Sequence, residues 1–232
     1  MRKASFPKKI IILVLILAVP GFLYYLLTAK GKNRYKPLPF YGPKEVAKTG
    51  HKFHGKFIPD TIYHKLSDFK LTDQNGNEVT DKSFDKKLMV VSFFYTGCPN
   101  VCKQVNKNLS GLDSVYRKNK MVRMVSLTVN PEHDTAPVLK KYAAQFNPGP
   151  NWMFLTGDTT TIYNLARKGL LVDALKVDDN NFVYSDKVML VDAEKRIRGY
   201  YSGTSLTDLN RLNEEIRVQI AEELRKVDKA LY

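Results

Sequence analysis

Residues 88–102 read LMVVSFFYTGCPNVC, a continuous apolar run that ends in two cysteines. The run from Leu88 to Tyr95 is rich in β-branched and aromatic residues, which predicts a strand buried on both faces. After the cysteines, apolar residues recur at helical spacing up to Tyr116. The stretch therefore predicts a strand, a tight turn that carries Cys98 and Cys102, and a helix.

Cys98 and Cys102 are the whole cysteine complement of the 232-residue chain, which excludes a disulfide-rich scaffold and an all-cysteine zinc site. Pro99 is typical of a first helical position, so we expect Cys98 at the N-cap or close to it and both thiols on one helical face. Their Cα atoms are then about 6 Å apart, which suits a disulfide. The positive end of the helix favours the thiolate form, and two thiolates suit Cu(I). The alternatives are two buried structural cysteines or a permanent structural disulfide, which gains little by closing so short a loop.

Strands and helices alternate in the rest of the domain, and a hairpin and a long helix close it. The predicted strands are 122–129, 151–156, 187–192 and 197–203, with a further hairpin over 68–80 around Asn75-Gly76, and the predicted helices follow Asp134 or span 159–168 and 206–226. This order predicts an α/β domain of three layers with a mixed central sheet.

The N-terminal quarter has a different composition. Residues 10–27 form an uncharged apolar run of 18 residues, about the minimum that spans a bilayer, and a cleaved signal peptide is the alternative. The segment that follows is rich in Lys, Pro and Gly, and we expect the side chains of His51 and His54 within it to be solvated. The predicted division is a cytoplasmic tail (1–9), a transmembrane anchor (10–28), a flexible linker (29–60) and a globular domain (61–232).

The net charge of +14 is concentrated in the N-terminal quarter, where residues 1–60 hold 12 Lys or Arg against 2 Asp or Glu. Residues 61–232 hold 25 against 21. A nucleic-acid groove requires its basic excess on the folded domain, so nucleic acid is excluded as a partner.

A redox-active thiol pair suits an oxidising compartment. Together with the apolar run, it predicts a single-pass cell-membrane protein with its domain on the extracytoplasmic, periplasmic side.

Four blocks of the chain resemble, in order, the conserved blocks of the Sco/SenC family. They are FFYTGCPNVC (93–102), TVNPEHDTAPVLKKYAAQF (128–146), NWMFLTGDTTTIYNLARKGLLV (151–172) and KVMLVDAEKRIRGYY (187–201). The resemblance covers about residues 61–226. It implies a thioredoxin-like fold in which Cys98 and Cys102 exchange disulfides, bind Cu(I), or do both. It also implies a role in assembling the copper site of cytochrome c oxidase. The implied partners are the copper-binding subunit of a respiratory oxidase and a thiol reductant.

One position departs from the family pattern. Tyr184 stands where the family has a histidine as third copper ligand, eight residues before Asp192. A phenol is a poor ligand for Cu(I) at neutral pH, so the departure favours thiol–disulfide chemistry over copper storage. His133 is a weak candidate for the missing ligand, because it follows a strand that we expect to be parallel to the Cys98 strand. His64 is a second weak candidate. Four aspartates, Asp158, Asp173, Asp178 and Asp179, read as solvated loop charges.

Two other functions are compatible with the sequence. Related folds use cysteines in general thioredoxin-like reductases and in peroxidases. A copper- or redox-sensing protein, in which the thiols only register metal or redox state, is the non-enzymatic alternative.

Overall fold

The computed structural model describes residues 6–29, 37–177 and 182–230. The chain forms two compact units, Met1–Lys36 and Pro37–Tyr232. The first contains helix α1 (Phe6–Ala29). The sequence predicts a transmembrane anchor at residues 10–28, whereas no helix in the described residues is long and apolar enough to cross a membrane. Residues 1–5 of the predicted tail lie outside the described residues, as do Asp178 and Asp179.

An antiparallel ribbon occupies much of residues 29–60, the segment for which the sequence predicts a flexible linker. Strand β1 (Lys44–Phe53) pairs with β2 (Lys56–Tyr63). The two residues between the strands, His54 and Gly55, both have positive φ, at 48° and 78°. A two-residue turn with two positive φ angles matches the twist of paired strands, and glycine adopts it without steric cost. The ribbon belongs to the second compact unit, which extends from Pro37, whereas the sequence predicts a globular domain over residues 61–232.

The remaining strands and helices follow the predicted order. They are β3 (Lys70–Asp73), β4 (Glu78–Thr80), β5 (Leu88–Phe94), α2 (Val101–Tyr116), β6 (Val122–Thr128), α3 (Ala136–Ala143), β7 (Trp152–Thr156), α4 (Thr159–Asn164), β8 (Ala174–Lys176), β9 (Phe182–Tyr184), β10 (Lys187–Val191), β11 (Ile197–Ser202) and α5 (Leu206–Ala230). The predicted hairpin around Asn75-Gly76 is present as β3 and β4.

A seven-stranded mixed sheet has the order β11-β10-β5-β6-β7-β3-β4. Strands β5, β6 and β7 are parallel, whereas β10 runs antiparallel to both β5 and β11. The predicted mixed sheet is thereby confirmed. Strands β8 and β9 form a separate two-stranded ribbon that the sequence pattern did not reveal.

Strand β5 is buried on both faces, as its unbroken apolar sequence predicts. Val90 belongs to an apolar cluster with Leu109 of α2 and Ile216 of α5. Its neighbour Val91 belongs to a second cluster, which includes Ile162 of α4. Because successive side chains of a strand point to opposite faces, helices cover both faces of the sheet and the domain has three layers.

Helix α4 is shorter than predicted, and a π-helical turn, Leu165–Gly169, follows it. Asp158 is the N-cap of α4, because its side chain accepts a hydrogen bond of 3.0 Å from the Thr161 amide. Hydrogen bonding to Thr161 holds the pKa of Asp158 below its ordinary value. The residue is exposed, as predicted for a loop charge, but it also has this capping role. Asp173 is exposed as well.

Candidate functional site

The turn between β5 and α2 positions the two cysteines. The Cys98 amide donates a hydrogen bond of 3.1 Å to the Tyr95 carbonyl, which closes the turn. The helix begins only after this turn, at Val101, with Asn100 as its N-cap. The predicted start at Pro99 was therefore wrong by two residues, and Cys98 lies in the turn instead of capping the helix.

A disulfide joins Cys98 to Cys102, and their Cα atoms are 5.9 Å apart. The distance agrees with the predicted 6 Å, although only Cys102 lies in the helix. Both cysteines are buried, with 2% and 1% of their surface exposed. The Cys102 amide belongs to the first turn of α2 and donates to Cys98 Sγ at 3.2 Å. One free N–H at the start of the helix therefore points at the Cys98 sulfur.

Tyr184 covers the disulfide. Its hydroxyl lies 3.0 Å from Cys98 Sγ and 3.0 Å from Cys102 Sγ. The residue ends strand β9, where it pairs with Ala174 of β8, and its ring meets that of Tyr95 edge-on at 5.7 Å. The sequence predicts that Tyr184 faces the thiols, because it precedes a strand antiparallel to β5. The hydroxyl–sulfur distances agree with that prediction, but Tyr184 belongs to a strand instead of the predicted loop.

Burial raises the pKa of the Tyr184 phenol above its ordinary value, and electrostatic interactions with Tyr95 and Asp186 raise it further. The phenol therefore keeps its proton at neutral pH. A protonated phenol donates a hydrogen bond but offers no anionic oxygen to a metal ion. At this position the chain holds a hydrogen-bond donor to sulfur.

A buried carboxylate fixes the residues just before Cys98, and sequence reasoning missed this role. Asp134 is fully buried and accepts hydrogen bonds from the Thr96 amide at 3.0 Å and from the Thr96 and Thr128 hydroxyls. The pattern Asp-Thr-x-Pro indicates a helix start, and α3 does begin there, with Thr135 as its N-cap. Asp134 instead connects the end of β6 to the turn that carries Cys98.

The two candidate histidines bond elsewhere. The His133 side chain is 66% exposed, and its Nδ1 lies 3.0 Å from the Asp134 carboxylate. His64 Nε2 lies 2.7 Å from the Gly169 carbonyl. No group of three or more His, Cys, Asp or Glu side chains in the described parts of the chain is arranged to hold a metal ion.

The two linker histidines lie on the exposed ribbon. His51 Nδ1 is 3.6 Å from Asp60 across the strands, and both side chains are more than half exposed. His54 occupies the turn, where its ring meets that of Phe53 edge-on. Their exposure agrees with the solvated positions that we predicted.

Comparison with known proteins links this geometry to one family. A sequence model described as SCO1/SenC matches residues 60–221. The SCO2-like protein of Rickettsia felis is 28% identical over 218 residues, which cover 88% of this chain and 95% of that protein. The solved structure of Bradyrhizobium japonicum ScoI with copper bound is 29% identical, with a TM-score of 0.54, and the match covers 63% of this chain and 98% of that one.

A further solved structure is that of BsSco, a member of the Sco family of cytochrome c oxidase assembly proteins. It is 24% identical with a TM-score of 0.60, and the match covers 66% of this chain and 92% of that one. These structural matches agree with a thioredoxin-like fold, as the resemblance implied. The matched region contains the sheet, the cysteine turn and Tyr184, and on this basis the chain belongs to the SCO1/SenC family.

Proposed function

We propose that this chain assists assembly of the copper site of cytochrome c oxidase, chiefly by reducing a disulfide in the copper-binding subunit. The supporting observation is the Cys98–Cys102 disulfide beneath the Tyr184 hydroxyl, at the point where a strand meets a helix. Solved relatives are described as oxidase assembly proteins or contain bound copper. The chain shares their fold and carries one cysteine pair, Cys98 and Cys102, in the matched region.

The reaction begins from the reduced pair. The Cys98 thiolate attacks one sulfur of the target disulfide, which forms a mixed disulfide and releases the second target sulfur as a thiolate. The Cys102 thiolate then attacks Cys98 Sγ, which closes the Cys98–Cys102 bond and releases the first target sulfur. Two electrons pass to the target, and solvent protonates the released thiolates. A thiol reductant must return two electrons to this chain before the next cycle.

Cu(I) is the proposed cargo of the reduced pair. The two sulfurs suit a soft ion that accepts two ligands, whereas the disulfide form has no thiolate to offer. Tyr184 supplies a protonated hydroxyl in place of an imidazole, which disfavours Cu(II). These donor properties are the reason that we assign disulfide reduction the leading part and Cu(I) delivery the second.

To test the function, the reduced full-length chain is mixed with an oxidised copper-site domain of an oxidase subunit. We expect one disulfide of the domain to be reduced per chain, as counted by mass spectrometry after alkylation. Cys102→Ser should trap a mixed disulfide through Cys98, because the resolving thiol is absent. No reduction by wild type would favour a sensor, and steady peroxide consumption would favour a peroxidase.

Membrane association on the extracytoplasmic side is part of the same proposal. Apolar side chains of α1 between Ile12 and Tyr25 are exposed, and exposed apolar surface of this extent requires a nonpolar environment. We expect the full-length chain to sediment with membranes and a variant lacking residues 6–29 to remain in the supernatant. When the layers outside the cell membrane have been removed, protease added to the intact cells should digest the domain. A full-length chain in the supernatant would contradict the association.

A further inference from the structure

We propose that the Tyr184 hydroxyl is a catalytic hydrogen-bond donor for disulfide exchange, serving whichever of the two sulfurs carries charge. The inference rests on the proposed reductase function and adds a residue to its chemistry. It is carried by the two equal distances of 3.0 Å from one hydroxyl to both sulfurs. A side chain that merely packed against the disulfide would not need its only polar atom at this point.

Several contacts place the hydroxyl. The Tyr184 backbone pairs with Ala174 in the β8–β9 ribbon, and the ring packs edge-on against Tyr95. Tyr95 in turn contacts the ring of Phe182, at 4.9 Å between centroids. The contacts of both β9 rings with Tyr95 hold the phenol in place before the reaction starts, which is the condition for electrostatic catalysis by a fixed donor.

The two sulfurs differ in their other contacts. Cys98 Sγ also accepts a hydrogen bond from the Cys102 amide at 3.2 Å, so it has two donors. Among the described residues, the hydrogen bond to Cys102 Sγ comes from the Tyr184 hydroxyl. Charge on Cys98 is therefore stabilised by the helix start as well as by the phenol, which suits Cys98 as the attacking thiolate. Charge on Cys102 depends on Tyr184.

This difference identifies the step in which Tyr184 matters most. When a small thiolate regenerates the chain, it attacks Cys98 Sγ and forms a new sulfur–sulfur bond there. The Cys98–Cys102 bond breaks, and its electron pair passes to Cys102 Sγ, which Tyr184 contacts. A second thiolate then attacks the reductant sulfur of the mixed disulfide, releases Cys98 and leaves an oxidised reductant. Two electrons enter the chain, and solvent supplies the two protons.

The donor favours the transition state over the starting disulfide. A sulfur in a disulfide is neutral and accepts hydrogen bonds weakly, whereas a sulfur that carries negative charge accepts them strongly. The hydrogen bond from Tyr184 therefore strengthens as the sulfur–sulfur bond breaks. An interaction that is stronger in the transition state lowers the barrier of the step.

The test measures opening of the disulfide in the oxidised full-length chain by glutathione, at a fixed concentration of glutathione thiolate. Tyr184→Phe keeps the ring and its cover over the sulfurs but removes the hydroxyl. We expect the second-order rate constant to fall about fivefold, or about 1 kcal/mol in the barrier. Tyr200→Phe, which removes a half-buried phenol bonded to the Leu170 carbonyl, should stay within twofold of wild type.

A graded substitution separates this role from a structural one. Incorporation of 3-fluorotyrosine at position 184 makes the phenol a stronger donor and should raise the rate above wild type. From slowest to fastest, the expected order of the residues at position 184 is Phe, Tyr and 3-fluorotyrosine. The proposal would be overturned if Tyr184→Phe left the rate constant unchanged or raised it, or if the three rate constants followed any other order. The reaction does not involve the oxidase, so failure of the proposed oxidase function would leave this result unaffected.

Discussion

Replacing Arg198 with alanine is expected to lower the free energy of unfolding by about 3 kcal/mol. The guanidinium is 2% exposed and lies 3.1 Å from Asp192 and 3.1 Å from Glu222. Removing one partner from a buried ion pair leaves the other charge without compensation, and this penalty exceeds the net value of the pair. The expected loss is at the low end of the range because Arg196 also pairs with Asp192.

The same side chain also attaches the start of the second unit to the sheet. Arg198 donates to the Leu38 carbonyl at 2.7 Å and to the Pro39 carbonyl at 3.2 Å. The guanidinium lies 4.2 Å from the centroid of the Phe40 ring, and the Tyr41 amide bonds the Ile197 carbonyl of β11. In the alanine variant we therefore expect faster hydrogen exchange at Tyr41 as well as lower stability.

Urea unfolding of the full-length chain, with hydrogen exchange followed by mass spectrometry, would measure both effects. Lys70→Ala is the matched control, because Lys70 is 73% exposed and pairs with Glu78 at 2.7 Å on the surface. An exposed pair contributes at most about 1 kcal/mol. Equal losses of unfolding free energy in the two variants would contradict the prediction, because the buried ion pairs of Arg198 would then contribute no more than an exposed pair.

Tyr184→His is expected to strengthen Cu(II) binding to the reduced chain by at least about tenfold, or about 1.4 kcal/mol. The phenol oxygen already lies 3.0 Å from both sulfurs, so an imidazole at this position is aimed at the same point. Imidazole suits Cu(II), whereas the wild-type phenol keeps its proton. Wild type should bind Cu(I) through its two sulfurs and Cu(II) weakly.

Competitive titration of reduced wild type and variant would test this, with sulfur-to-copper charge-transfer absorption as the signal. His133→Ala and His64→Ala are the controls, and neither should change Cu(II) binding. Tight Cu(II) binding by wild type that disappears in His133→Ala would make His133 the ligand. Tight binding that survives both controls would contradict the assignment of the donors.

The strands and most of the helices follow directly from local patterns. Strand β5 was predicted because an unbroken apolar run can be satisfied only by burial on both faces. The ribbon β1–β2 was missed because its side chains are almost all exposed, so no alternation of apolar and polar residues marks it. Helix α2 was predicted to begin two residues early, because Pro99 suits a turn as well as a first helical position.

Contacts in the candidate site were predictable from backbone geometry between residues close in the sequence, whereas those between residues far apart in it required the family pattern or were missed. Cys98 and Cys102 are four residues apart, so backbone geometry alone limits the distance between them. Tyr184 was located through the family pattern and the antiparallel direction of β10. Asp134 was missed as a support of the Cys98 turn, since Thr96 and Thr128 approach it only when β5 and β6 lie side by side.

The sequence by itself determined the α/β class, the mixed sheet and the presence of one cysteine pair within disulfide distance. These properties follow from hydrophobic periodicity and short-range backbone geometry, which act over a few residues. Only the tertiary structure decided that one phenol contacts both sulfurs and that Arg198 is buried between Asp192 and Glu222. The physical reason is that hydrogen bonds and ion pairs between distant residues depend on how strands and helices pack, which no local pattern encodes.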